Sequence, residues 1–125
     1  MGNKKTTNIK WLPIPEEHDY DASFSYLSLL FPESEAKKYV VQLKKTKMSQ
    51  FKAKDLFRAS SLSLLGISNK HVKKNLDKMK DGENLSPLIL LRDSVNRKLI
   101  IADGYHRMCA VYTKDEDALI PCKIV

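Results

Sequence analysis

IIADGYHRMCAVY, residues 100–112, decides the fold. Its first half is an apolar run that stops at Asp103 and Gly104. After His106 and Arg107 the apolar residues return at a wider spacing, with Met108, Val111 and Tyr112 on one side. An apolar run closed by a turn signal has the pattern of a strand, and the wider spacing has that of a helix. A strand therefore becomes a helix within a residue or two of Asp103, and the helix runs from Gly104 to about Thr113.

Working outward, RKLIIAD (97–103) is that strand, and LSPLILLR (85–92) is a second. The second is nearly all apolar, as a strand covered on both faces must be. DSVN (93–96) between them reads as a turn. Downstream, the polar KDED link leads to a third strand, LIPCKIV (119–125). Upstream, HVKKNLDKMKDG (71–82) places Val72, Leu76 and Met79 at i, i+4 and i+7, the stripe of an amphipathic helix. Ser68 or Asn69 can cap it and Gly82 can end it. His71, Lys74 and Lys78 share one flank of the stripe at i, i+3 and i+7.

Further upstream, MSQFKAKDLFRASSLSLLGISNK (48–70) allows a strand through Phe51 or a short helix from Asp55. A helix over 54–61 is the adopted reading, with a turn at Gly66. Asp21 can cap a helix with Phe24, Leu27, Leu30 and Phe31 on one side. Pro32 stops it. Ser34 can open another, with Ala36, Tyr39, Val40 and Leu43 inward and Lys37, Lys38, Lys44 and Lys45 outward. Pro13 and Pro15 leave residues 1–20 as an irregular arm. The expected organisation is an arm (1–20), a helical extension packed on the core (21–47) and a core (48–125). Helices interleaved with strands indicate an α/β (α+β) class with a small mixed sheet and flanking helices.

The chain has 125 residues, enough for one domain, with 42% hydrophobic and 30% charged residues, a soluble globular balance. No apolar run reaches membrane-spanning length, and MGNKKTTNIKWLP has no signal core. A cytoplasmic protein without a membrane partner is expected. Gly2 and Thr6 fit the loose acylation pattern, against which stands an ordinary frayed terminus. Cys109 and Cys122 lie in apolar segments without a C-x-x-C pair and read as buried, inert thiols. His18, His71 and His106 are far apart and show no metal-ligand spacing. The net charge of +7 suits phosphate-rich partners, although the lysines are spread along the chain and most simply solvate a face.

The stretch 103–107 carries the chemistry. The first N–H groups of a helix have no partner inside it, and the dipole makes that end positive. Gly104 lets a ligand approach the backbone, and His106 and Arg107 add donors. Together they suit a phosphate, with His71, Lys74 and Lys78 as a second wall if their helix packs alongside. The alternative keeps each residue structural: Asp103 as a cap, Gly104 as a turn, Arg107 paired with a surface carboxylate.

From about residue 50 to 125 the chain resembles the ParB/sulfiredoxin superfamily. A helix ending at Gly82 precedes LSPLILL, like the family's x-x-P-I-x-V strand. IADGYHRMCA is similar to the Gly-x-His-Arg loop of sulfiredoxins and the Asp-Gly-His-His-Arg loop of kinase-like relatives, and IPCKIV looks like sulfiredoxin's last strand. The resemblance implies that Gly104, Tyr105, His106 and Arg107 hold the phosphates of ATP or another nucleotide with Mg²⁺. It implies contacts from His71, Lys74 and Lys78 as well. The departures are specific. Tyr105 stands where sulfiredoxin has its reactive cysteine, and a phenol with a pKa near 10 cannot replace a thiolate, so sulfinic acid reduction is not expected. The loop has one arginine where ParB proteins have several, and no helix-turn-helix follows, which argues against sequence-specific DNA binding.

Three functions compete. One is Mg²⁺-dependent phosphoryl transfer, hydrolysing a nucleotide or phosphorylating a small molecule, with Asp103 as base or metal ligand and His106 beside it as the catalytic candidates. Asp55 is a weaker acid candidate, and its ordinary role is a helix cap. Another is a non-catalytic protein-interaction module using Phe24, Tyr26, Leu29 and Phe31 of the N-terminal helices. The third is non-specific nucleic-acid binding or nuclease action, which the lysines favour and the scattered aromatics and lack of a two-metal carboxylate cluster oppose.

Overall fold

The computed structural model describes residues 8–125; Gly2 and Thr6 of the acylation pattern lie outside the described residues. In chain order the elements are β1 (Lys10–Trp11), α1 (Glu17–Leu30), α2 (Glu33–Lys45), β2 (Ser49–Lys52), α3 (Ala53–Ser60), α4 (Lys70–Lys80), β3 (Asn84–Leu85), β4 (Leu88–Asp93), β5 (Lys98–Asp103), α5 (Tyr105–Lys114) and β6 (Leu119–Ile124). The main sheet has the order β2-β6-β4-β5. β4 pairs antiparallel with β5 and parallel with β6, while β2 pairs antiparallel with β6. This is an α+β domain built on a mixed sheet.

The 85–92 run, read as a doubly covered strand, is covered on both faces, and so is its partner β5. Leu88 and Leu90 of β4, Leu99 and Ile101 of β5, and Ile120 and Cys122 of β6 share one core with Leu56, Val72, Met79, Met108 and Val111 of α3, α4 and α5. Their alternating neighbours Ile89, Leu91, Ile100 and Ala102 form a second core with Tyr20, Leu27, Ala36 and Leu43 of α1 and α2. The period-2 geometry of a strand sends successive side chains to opposite layers. Each fully buried aliphatic side chain contributes about 1.5–3 kcal/mol.

α4 is bounded by strong local signals. Asn69 Oδ1 accepts from His71 N at 2.9 Å and Val72 N at 3.2 Å. At the other end Gly82, at φ +75, donates to Met79 O, and Glu83 N donates to Lys78 O. That paired closure needs the left-handed residue that glycine supplies.

Several elements depart from expectation. α1 begins at Glu17 rather than after Asp21, because the Glu16 side chain accepts from the N3 backbone while Asp19 Oδ2 accepts from Glu16 N at 2.8 Å. This reciprocal box uses two acids where a hydroxyl residue usually stands. The arm is not wholly irregular either: Lys10 and Trp11 pair in parallel with Asn84 and Leu85. Ser86 and Pro87 divide 85–92 into β3 and β4, since proline has no N–H to give a ladder. The two alternatives for 48–61 coexist, with β2 through Phe51 followed at once by α3. Among the described residues no helix is long and apolar enough to cross a membrane.

Candidate functional site

β5 delivers Asp103 to the sheet edge, and Gly104 at φ +107 turns the chain into α5. A Cβ at residue 104 would lie 2.7 Å from Leu88 Cγ, 2.9 Å from Leu88 Cδ1 and 3.0 Å from Arg107 Nη2. Glycine is therefore required by the backbone angle and by the approach of Leu88 and Arg107. Its backbone also lines the pocket described below. No side chain caps α5, so its opening N–H groups depend on solvent or a ligand.

α4 packs against α5 because Val72 and Met79 share a core with Met108 and Val111. That packing turns the other flank of α4 toward the strand–helix corner. His71, Lys74, Asn75 and Lys78 then face Asp103, Gly104, Tyr105, His106 and Arg107 around a polar pocket of about 240 Å³. Every residue expected in the phosphate site lines this one pocket. Asn75 is an addition, and its position one turn after His71 was the available signal; its Nδ2 donates to His71 O at 2.8 Å.

The His71 and His106 rings lie 4.9 Å apart, centroid to centroid. Burial, and secondarily the neighbouring His71, lowers the His106 pKa below the ordinary imidazole value. His106 in the ligand-free protein thus favours its neutral form.

Arg107 folds back to Asp103, Nη2 to Oδ2 at 2.8 Å, with both side chains more than four-fifths buried. The Arg107 Nε is buried without a protein partner. Burial raises the Asp103 pKa despite the opposing pull of Arg107, and the charge and hydrogen bond of Asp19 push it further up. Asp19 is buried at the start of α1 and escaped the sequence reading, which left it in the irregular arm. Asp103 consequently neither caps α5 nor stands free as a metal ligand.

Tyr105 is held by its own side chain. Its hydroxyl donates to Ser63 O at 2.5 Å, which ties down the 61–66 segment and leaves the backbone N–H as what Tyr105 can offer an anion. Both thiols are buried and held protonated, Cys109 by burial and Cys122 pushed up to about 12 by burial. Asp55 sits in the first turn of α3, away from this pocket.

Converging lysines, a guanidinium and helix amides fit phosphate oxygens. They offer Mg²⁺ no free protein carboxylate; the lining carboxylate, Asp103, is already paired with Arg107. One metal-ligand-type group occurs among the described residues, Glu16, His18 and Asp19, with donor atoms within 4.8 Å of one another. Its carboxylates are already engaged by the α1 cap and by Ser86. Two larger depressions, of about 450 and 360 Å³, flank β5. They would suit a ligand with an apolar body, whereas cationic side chains predominate at the smaller pocket.

Fold and site together define an α+β domain with an electropositive pocket where a strand passes into a helix. No protein-family model, curated protein or solved structure matches the chain.

Proposed function

We propose that this protein is a ParB/sulfiredoxin-like phosphate-binding domain that holds a nucleotide or another phosphate-bearing small molecule at residues 103–107 and acts on its terminal phosphate. The convergence of His71, Lys74 and Lys78 with Gly104–Arg107 around one pocket carries this reading. A bound phosphate would take α5 amides and draw Arg107 from Asp103, offering its free Nε and Nη2 as a two-point clamp. Lys74 and Lys78 would neutralise the remaining charge. Phosphoryl transfer demands mainly positioning and charge neutralisation. With the anion bound, His106 is favoured as imidazolium, which can donate to the phosphate or protonate a leaving oxygen. Any Mg²⁺ would arrive on the phosphates.

The test is isothermal titration with ATP, combined with a phosphate-release assay. Binding by the natural protein and at least tenfold loss in Arg107→Ala, with an unchanged circular dichroism spectrum, is expected. Binding without release keeps the site and removes the catalysis. An unfolded Arg107→Ala alongside ATP binding unaffected in Lys74→Ala/Lys78→Ala would overturn the site.

A second reading, a protein-interaction module, is favoured by one observation. On α1, Leu29 is 82% and Tyr26 44% exposed, while Phe24 and Phe31 pack on the core. Affinity capture that is lost in Leu29→Lys would support it.

A further inference from the structure

We infer that the pocket recognises a row of phosphates and is blind to whatever they are attached to; this rests on the phosphate reading above. Three observations lead there. At about 240 Å³ the pocket is smaller than sites that enclose an organic ligand, which start near 300 Å³. No aliphatic side chain lines it, and its three rings are already in contact with one another. The His71 and His106 rings occupy each other at 4.9 Å, and Tyr105 lies 5.4 Å from His106 with its hydroxyl tied to Ser63 O. A nucleoside therefore finds no apolar slot and no side chain set apart to grip a base.

The third observation is the layout of the charge. His71, Lys74 and Lys78 form a line on α4, and seven residues of helix span about 10 Å. One phosphate at the α5 amides can meet only part of that line. A chain of phosphates can run along it, with one end on Arg107 and the α5 amides and the rest on the α4 lysines. The ligand chemistry is thus an oligophosphate, supplied either as the free anion or as the tail of any nucleoside triphosphate.

The experiment is isothermal titration of the full chain with orthophosphate, pyrophosphate, tripolyphosphate, ATP, GTP, CTP and UTP at fixed ionic strength. The expected result is that the four nucleotides and tripolyphosphate agree within about threefold, while orthophosphate is at least tenfold weaker. Lys74→Ala/Lys78→Ala should weaken tripolyphosphate and all four nucleotides alike. Lys37→Ala/Lys38→Ala, on the exposed side of α2, should change nothing. One nucleotide binding tenfold better than the others and than tripolyphosphate overturns base-blindness and leaves the phosphate site standing. No binding by any anion removes the phosphate reading itself. Equal loss in both lysine variants shows diffuse attraction to a basic surface and overturns the pocket.

Discussion

At the scale of single residues, Gly104 and His106 make the sharpest predictions. Alanine at 104 must hold φ near +107 and place a methyl within 3 Å of Leu88. Left-handed strain and overpacking together should cost roughly 2–4 kcal/mol, read as a lowered urea midpoint. A neutral outcome would mean that Leu88 and the turn relax freely. His106 predicts a pH dependence. Its folded pKa is lowered, so the unfolded chain binds more protons as pH falls through the ordinary imidazole value of about 6.5. The stability of the ligand-free protein should therefore fall across that window, and His106→Asn should flatten the slope. An anion reverses the preference by favouring imidazolium. Sulfate, which keeps its charge from pH 7.5 to 5.5, should bind more tightly at the lower pH, and pH-independent sulfate titrations would refute this. The positions of these residues were legible from spacing along one strand and two helices. Asp19 was not, because it meets Asp103 across most of the chain's length, and no local pattern encodes such a meeting.

At the scale of elements, sequence and structure part company where a side chain from one segment completes another. IPCKIV reads as a plain apolar strand, yet Lys123 is buried in β6. Its Nζ donates to Lys44 O at 3.4 Å and to Thr46 O, closing the C-terminal end of α2. A cation among the last carbonyls of a helix satisfies unpaired acceptors and opposes the dipole. Lys123→Met keeps the aliphatic stem and removes the donor, leaving those carbonyls without it. We expect a loss of about 1–3 kcal/mol in urea unfolding, with earlier exchange of amides in the last turn of α2. Unchanged exchange there would show that solvent already satisfies those carbonyls. The same logic explains α1. An acid pair replaces the usual hydroxyl cap, and Glu16 is itself held by Ser86 at 2.9 Å, a partner seventy residues away. By contrast, α4 was readable end to end because Asn69 and Gly82 act on their own neighbours.

At the scale of the whole molecule, the N-terminal helices were expected as a helical extension packed on the core. The packing makes them one of two outer layers. Without α1 and α2, Ile89, Leu91, Ile100 and Ala102 would face water across β4 and β5. The sheet cannot keep one core and lose the other, because alternate residues of the same strands build both. Unfolding should accordingly be one transition. Trp11, the single tryptophan, packs on the core beneath α3, α4 and α5 and reports one face. Leu27, fully buried on the other face, tests the coupling. Leu27→Ala should destabilise by about 2–5 kcal/mol. Its Trp11 fluorescence midpoint should fall in step with the helical circular dichroism midpoint, as coincident probes require of a two-state domain. If fluorescence keeps the natural midpoint while ellipticity drops early, the layers melt separately, and residues 17–45 are an appendage after all. Coincidence would also bear on the site, since Asp19 reaches Asp103 only while α1 stays docked on β5.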